Sequence, residues 1–121
     1  SGKHYFEVEV DTGGEGHWRV GWATKSVRKP GESLLGDNEG SWGFDGSGGS
    51  KYHNGTGEDY GLPFQEGDVI GCFLDYEAGE ISFTKNGKDL GIYAFRNVSF
   101  GGPLYPAVSL GSGEAVRFNF G

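Results

Sequence analysis

The sequence predicts an all-β domain of two antiparallel sheets packed face to face, or a barrel, and three observations carry that reading. Many short segments alternate apolar and polar residues with a period of two. The 121 residues hold 25 glycines, 9 Phe, 6 Tyr, 3 Trp and no Met, which suits aromatic strands separated by glycine turns better than helices. Helical periodicity of useful length is absent. A chain of this size buries roughly two-thirds of its unfolded surface, so residues 1–121 are expected to form one domain around one core.

Each strand follows from its alternation. His4 to Val10 places Phe6, Val8 and Val10 on one face and Tyr5, Glu7 and Glu9 on the other, and Gly13, Gly14 and Gly16 then turn the chain. Trp18, Val20 and Trp22 oppose Arg19, Gly21 and Ala23 in the next strand, before a long polar loop from Lys25 to Gly40 with a bend at Pro30-Gly31. Strands around Ser41 to Asp45 and Lys51 to His53 make a hairpin through Gly46-Ser47-Gly48-Gly49, and another glycine-rich loop comes after it.

Asp68 to Asp75 is apolar nearly throughout and reads as a central strand, with Glu80 to Lys85 its neighbour through the turn Glu77-Ala78-Gly79. Asn86-Gly87 has the chemistry of a type I′ turn, in which both central residues need positive φ, so Lys88 to Ile92 is expected to fold back. Tyr105 to Leu110 and Ala115 to Phe120, joined through Gly111-Ser112-Gly113, are the last two strands, the second directing Val116, Phe118 and Phe120 inward. The three tryptophans carry large apolar area at strand positions and are expected in the core.

Charge and motifs narrow the function. With 17 acidic against 10 basic residues the net charge is −7, a field that repels phosphate backbones and anionic membranes, so nucleic acid is not the expected partner. No apolar run spans a bilayer and no signal peptide precedes the first strand, so the chain reads as a piece of a longer protein. Cys72, the only cysteine, lies in an apolar run where a thiol acts as a small hydrophobe. Asn54-Gly55-Thr56 and Asn97-Val98-Ser99 fit the glycosylation pattern but read as chance matches in a reducing compartment.

The search for catalytic chemistry returns little. There is no G-x-S-x-G elbow, and His4, His17 and His53 lie at no metal-ligand spacing. Asp75 to Glu80 lacks the order of a calcium loop, and the glycines at 46, 48 and 49 lack a Walker lysine and precede a strand. Pairs such as Asp45 with Asp59, or Glu32 with Asp37, read as solvated loop carboxylates. No enzyme, cofactor or metal is expected, and loops on a rigid scaffold point to binding.

Tyr5-Phe6-Glu7-Val8, Arg19-Val20-Gly21-Trp22-Ala23 and Ser41-Trp42-Gly43-Phe44-Asp45-Gly46 resemble, in order and spacing, the first half of an SPRY domain. The resemblance continues through Tyr60-Gly61, Gly67 to Cys72, Phe83 to Gly91, Leu104-Tyr105-Pro106 and Phe118 to Gly121. Different stretches are similar to SPRY domains of DEAD-box helicases, Ran-binding proteins, SPRY and SOCS-box adaptors and ryanodine receptors. Such a mosaic is also what a consensus or engineered sequence gives.

The resemblance implies a curved, concanavalin-like sandwich that recognises a peptide or partner-protein surface with loops at one end. It implies no cofactor and no catalysis. Pocket positions of the SPRY and SOCS-box adaptors fall on Gly16, Gly31 and Leu110-Gly111-Ser112, where glycines replace bulky or hydroxylated residues, and the adaptors' upstream contact segment has no counterpart. Contacts of TRIM-type relatives fall on Asp45, Ser47 and Tyr52. The expected module is monomeric in isolation, binds no membrane, and works in the cytoplasm or nucleus within a larger protein. The alternatives are an RNA- or glycan-binding sandwich, or an idealised scaffold without a natural partner.

Overall fold

The computed structural model describes residues 2–12, 18–24, 35–36, 40–46, 48–61, 66–89, 94–98, 100, 102–109 and 115–119. Ten strands are formed among them: β1 (Lys3–Thr12), β2 (Arg19–Ala23), β3 (Ser41–Asp45), β4 (Ser50–His53), β5 (Thr56–Asp59), β6 (Val69–Asp75), β7 (Glu80–Lys85), β8 (Lys88–Asp89), β9 (Tyr105–Ser109) and β10 (Ala115–Asn119). They make two five-stranded sheets. Sheet A runs β10-β1-β6-β7-β8 and sheet B runs β5-β4-β3-β2-β9. Every pairing is antiparallel.

The alternation in the sequence sets which face is buried. Phe6, Val8 and Val10 of β1, Ile70, Cys72 and Leu74 of β6, and Ile81 and Phe83 of β7 turn inward from sheet A. Val20 and Trp22 of β2 and Trp42 and Phe44 of β3 meet them from sheet B. Aromatic pairs join the two layers, with Phe6 edge-on to Trp22 at 4.9 Å and Phe44 tilted on Phe83 at 5.1 Å. Each fully buried large side chain contributes about 1.5–3 kcal/mol by leaving water. Tyr60 closes the side of this core against Phe44, and its hydroxyl accepts the Phe83 amide at 3.2 Å.

Three turns are built as their chemistry requires. Asn86 and Gly87 both have positive φ, 52° and 83°, the type I′ geometry expected between β7 and β8. In the turn after β6, Asp75 Oδ1 accepts the amides of Glu77 and Ala78, and Gly79 sits at φ 68°. The third turn corrects the sequence reading. Asn54 and Gly55, φ 53° and 78°, form a second tight hairpin that pairs β4 with β5, where only a glycine-rich loop was expected. The residues of β5 are all exposed and polar or glycine, so no apolar alternation announced the strand.

Two other expectations change. β8 is described only over Lys88–Asp89, and residues 90–93 of the expected strand lie outside the described residues. Phe118 does share the inward face and meets Phe6 at 5.8 Å, yet it is 38% exposed. β10 is the edge of sheet A, with a neighbour on one side alone, so an inward-facing residue there is only half covered. Phe120 lies outside the described residues.

Candidate functional site

The outer face of sheet B carries Arg19, Gly21 and Ala23 of β2, Ser41, Gly43 and Asp45 of β3, Tyr52 of β4, and Ser109 of β9. Register places Arg19 directly opposite both Asp45 and Ser109, so the start of β2 and the ends of β3 and β9 share one end of the sheet. The Gly46 amide donates to the Trp18 carbonyl at 2.9 Å, which ties two of these strand ends together. From that end the chain passes into residues 13–17, 47 and 110–114.

A short piece of the long loop lies across this face. The Leu35 amide donates to Ser109 Oγ (2.7 Å), the Leu35 carbonyl accepts from Arg19 (3.1 Å), the Gly36 amide donates to Ser41 Oγ (2.7 Å), and the Gly36 carbonyl accepts the Gly55 amide (3.0 Å). Leu35-Gly36 is thus a strap stitched from β9 across β2 and β3 to the β4–β5 turn. It needs small residues beneath it: a Cβ on Gly43 would lie 2.9 Å from the Leu35 carbonyl oxygen. Ser41, fully buried, serves both sides, since its hydroxyl holds the strap while its carbonyl accepts from His53 Nδ1 at 2.9 Å. That bond fixes the His53 ring, which stacks on Trp42 at 4.7 Å.

Of the residues singled out from the sequence, Asp45 and Tyr52 are described and lie on this face. Gly16, Gly31, Ser47, Leu110, Gly111 and Ser112 lie outside the described residues. Asp45 is buried, 7% exposed, and shapes its turn: Oδ2 accepts the Gly48 amide at 3.1 Å and the carbonyl accepts the Gly49 amide at 3.0 Å. Tyr52 is a wall packed on both sides. Arg19 stacks over its ring with Cζ 3.8 Å from the centroid, while Gly57 and Gly36 sit so close that a Cβ would fall 2.5 Å from Cε1 and 2.6 Å from Cβ of Tyr52, respectively.

Sequence reasoning did not single out Arg19, Leu35, Gly36 or Ser109. Arg19 had a signal, because it is the one charged residue on the outward side of a strand whose other outward residues are Gly21 and Ala23. Leu35 had a weaker one, since it stands beside Leu34 in a mostly polar loop that also holds Val27. The tryptophans are in the core as expected, 2–3% exposed. Among the described residues no group of three or more His, Cys, Asp or Glu is placed to hold a metal, and no helix is long and apolar enough to cross a membrane. Cys72 is fully buried, and desolvation, then the nearby Glu7 charge, push its thiol pKa well up.

Two five-stranded antiparallel sheets packed on one shared core define a β-sandwich. Residues 3–121 match the family model of the SPRY domain, and the chain belongs to that family. It is 42% identical over 121 residues to the probable ATP-dependent RNA helicase ddx1 of Dictyostelium discoideum, all of this chain against 15% of that protein. It is 45% identical over 123 residues to the ATP-dependent RNA helicase Ddx1 of Drosophila melanogaster, 99% of this chain against 16% of the relative. It is 41% identical over 123 residues to the E3 ubiquitin-protein ligase RKP of Arabidopsis thaliana, 99% against 9%. The chain therefore spans about a sixth or less of the length of these relatives.

Proposed function

We propose that this SPRY domain is a protein-interaction module that docks a peptide or a partner-protein surface on the loop end of sheet B. The observation that carries the reading is the convergence of Trp18, Gly46 and Ser109 at that end, beside the packed cluster of Arg19, Tyr52 and Asp45. The loops that hold Gly16, Ser47 and Leu110 to Ser112 leave the sheet from these points, and the strand that follows Gly31's loop piece returns through the strap. Tyr and Arg, the two residue types of this cluster that stack on each other, are among those enriched at protein interfaces.

The domain has no catalytic part in this reading, and works inside a longer intracellular protein. The test is a peptide array probed with the 121-residue protein, repeated with Tyr52→Ala, Arg19→Ala and Leu110→Ala, alongside a glycan array and an RNA titration over a salt series. Peptide binding that the three substitutions weaken supports the proposal. Unaltered binding in all three moves the site elsewhere. RNA binding with a steep salt slope, or glycan binding alone, replaces the reading, and a folded protein that binds nothing fits an idealised scaffold.

A further inference from the structure

The outer face of sheet A, on the far side of the molecule from the loop site, carries an aromatic pair open to solvent. Tyr5 of β1 and Phe73 of β6 are directly opposed in register, 41% and 38% exposed, with ring centroids 4.5 Å apart. Side chains in the middle of an uncovered sheet face are ordinarily polar. Tyr5 has a structural reason to be large, since its ring leans over Gly71, where a Cβ would lie 3.1 Å from its Cε1. That reason does not extend to Phe73.

Two residues along β1 and on the same face, Glu7 accepts the Tyr5 hydroxyl. Its neighbour Glu9 is paired with Arg117 at 3.5 Å, and Glu80 with Arg96 at 3.8 Å. Among the described residues no cation forms an ion pair with Glu7, although Arg117, paired with Glu9, lines the same hollow. Asp75 flanks the pair on the other side, opposite Lys3, in a protein of net charge −7. Two exposed rings beside a carboxylate that makes no ion pair among the described residues fit one side chain best: a guanidinium, which lays its plane on an aromatic face and directs N–H groups at a carboxylate. The domain makes the first of these contacts internally, with Arg19 on Tyr52.

We propose that the surface formed by Tyr5, Glu7 and Phe73 is a second docking site, which takes an arginine of a basic segment on another protein. The site is independent of the loop surface and stands or falls without it. The test is titration of the isotope-labelled 121-residue protein with a seven-residue peptide alternating serine and arginine, followed by amide chemical shifts. Shifts are expected at Tyr5, Glu7, Gly71 and Phe73, with the region of Asp45 and Tyr52 unmoved.

A ring–cation contact at an exposed site is worth about 0.5–1 kcal/mol, so Phe73→Thr is expected to raise Kd about two- to five-fold. Glu7→Gln is expected to raise it as well and to flatten its dependence on salt. Both positions are on an outward face and keep strand-compatible residues, and a thermal melt of each variant verifies folding. The proposal fails if the peptide shifts nothing on β1 and β6, if it moves the loop end instead, or if both variants bind as the parent does. It also fails if these amides shift with protein concentration alone, which would make a second copy the occupant.

Discussion

Gly36→Ala tests the strap, because Gly36 combines a left-handed backbone with contacts that leave no room. At φ 94° an L residue is strained by roughly 1–2 kcal/mol. The added Cβ would also lie 2.6 Å from Tyr52 Cβ and 2.7 Å from the Tyr52 carbonyl oxygen, atoms fixed in β4 that cannot swing aside. The strap must lift, and the loss is bounded by what it contributes: burial of Leu35, about 1.5–3 kcal/mol, and a few hydrogen bonds at about 1 kcal/mol each. Together these set a ceiling of about 4.5–6 kcal/mol. With an unfolding entropy of about 2.1 cal/mol/K per residue, each kcal/mol moves the melting temperature of a chain this long by about 4 °C, so Gly36→Ala is expected to lower Tm by more than backbone strain alone and by at most about 18–24 °C.

Gly67→Ala is the control, since Gly67 has φ 91° with nothing within 4 Å of its Cβ position, and it carries the backbone strain without the collision. A drop of about 4–8 °C is expected there. Calorimetry measures both, and hydrogen exchange at the Leu35, Gly36 and Gly55 amides reports whether the strap has lifted. Equal Tm changes in the two variants, or undiminished protection of those amides in Gly36→Ala, would mean that Tyr52 does not hold the strap in place.

Three further outcomes are expected. Tyr76→Phe removes the hydroxyl that accepts the Leu104 amide at 2.7 Å, leaves a half-buried donor unsatisfied, and should destabilise by about 1–3 kcal/mol in a denaturant titration. Cys72, buried with its thiol pKa pushed up, should react with a thiol reagent only as fast as the domain opens, so its labelling rate should rise with urea. Burial, then the hydrogen bond to Glu7 and the charge of that carboxylate, raise the pKa of Tyr5 above the ordinary tyrosine value of about 10. The folded state therefore holds this proton more tightly than the unfolded chain, so stability is full below about pH 10 and falls as pH rises beyond it. Melts between pH 9 and 11 should show a shallower fall in Tyr5→Phe than in the parent.

The alternation of Phe6, Val8 and Val10, of Trp18, Val20 and Trp22, and of Ile81 and Phe83 determined the strands and their buried faces, because a period of two admits one amphipathic solution in a β-sheet. Asn86-Gly87 determined a turn for the same local reason, and Asn54-Gly55 carried the same information for a strand that had no apolar residues to announce it. The order of residues also carried the family pattern from Tyr5 to Gly121.

Beyond the local hairpins, the sequence alone did not decide which strands share a sheet, or that Asp45 and Ser109 flank Arg19. Antiparallel pairing of β2 with β9 joins residues 82 to 90 positions apart, and no local propensity encodes such a partner. The strap, the wall that Tyr52 makes with Arg19, and the open pair of Tyr5 and Phe73 all follow from that long-range register. They depend on which residue lies across from which, and tertiary packing alone settles it.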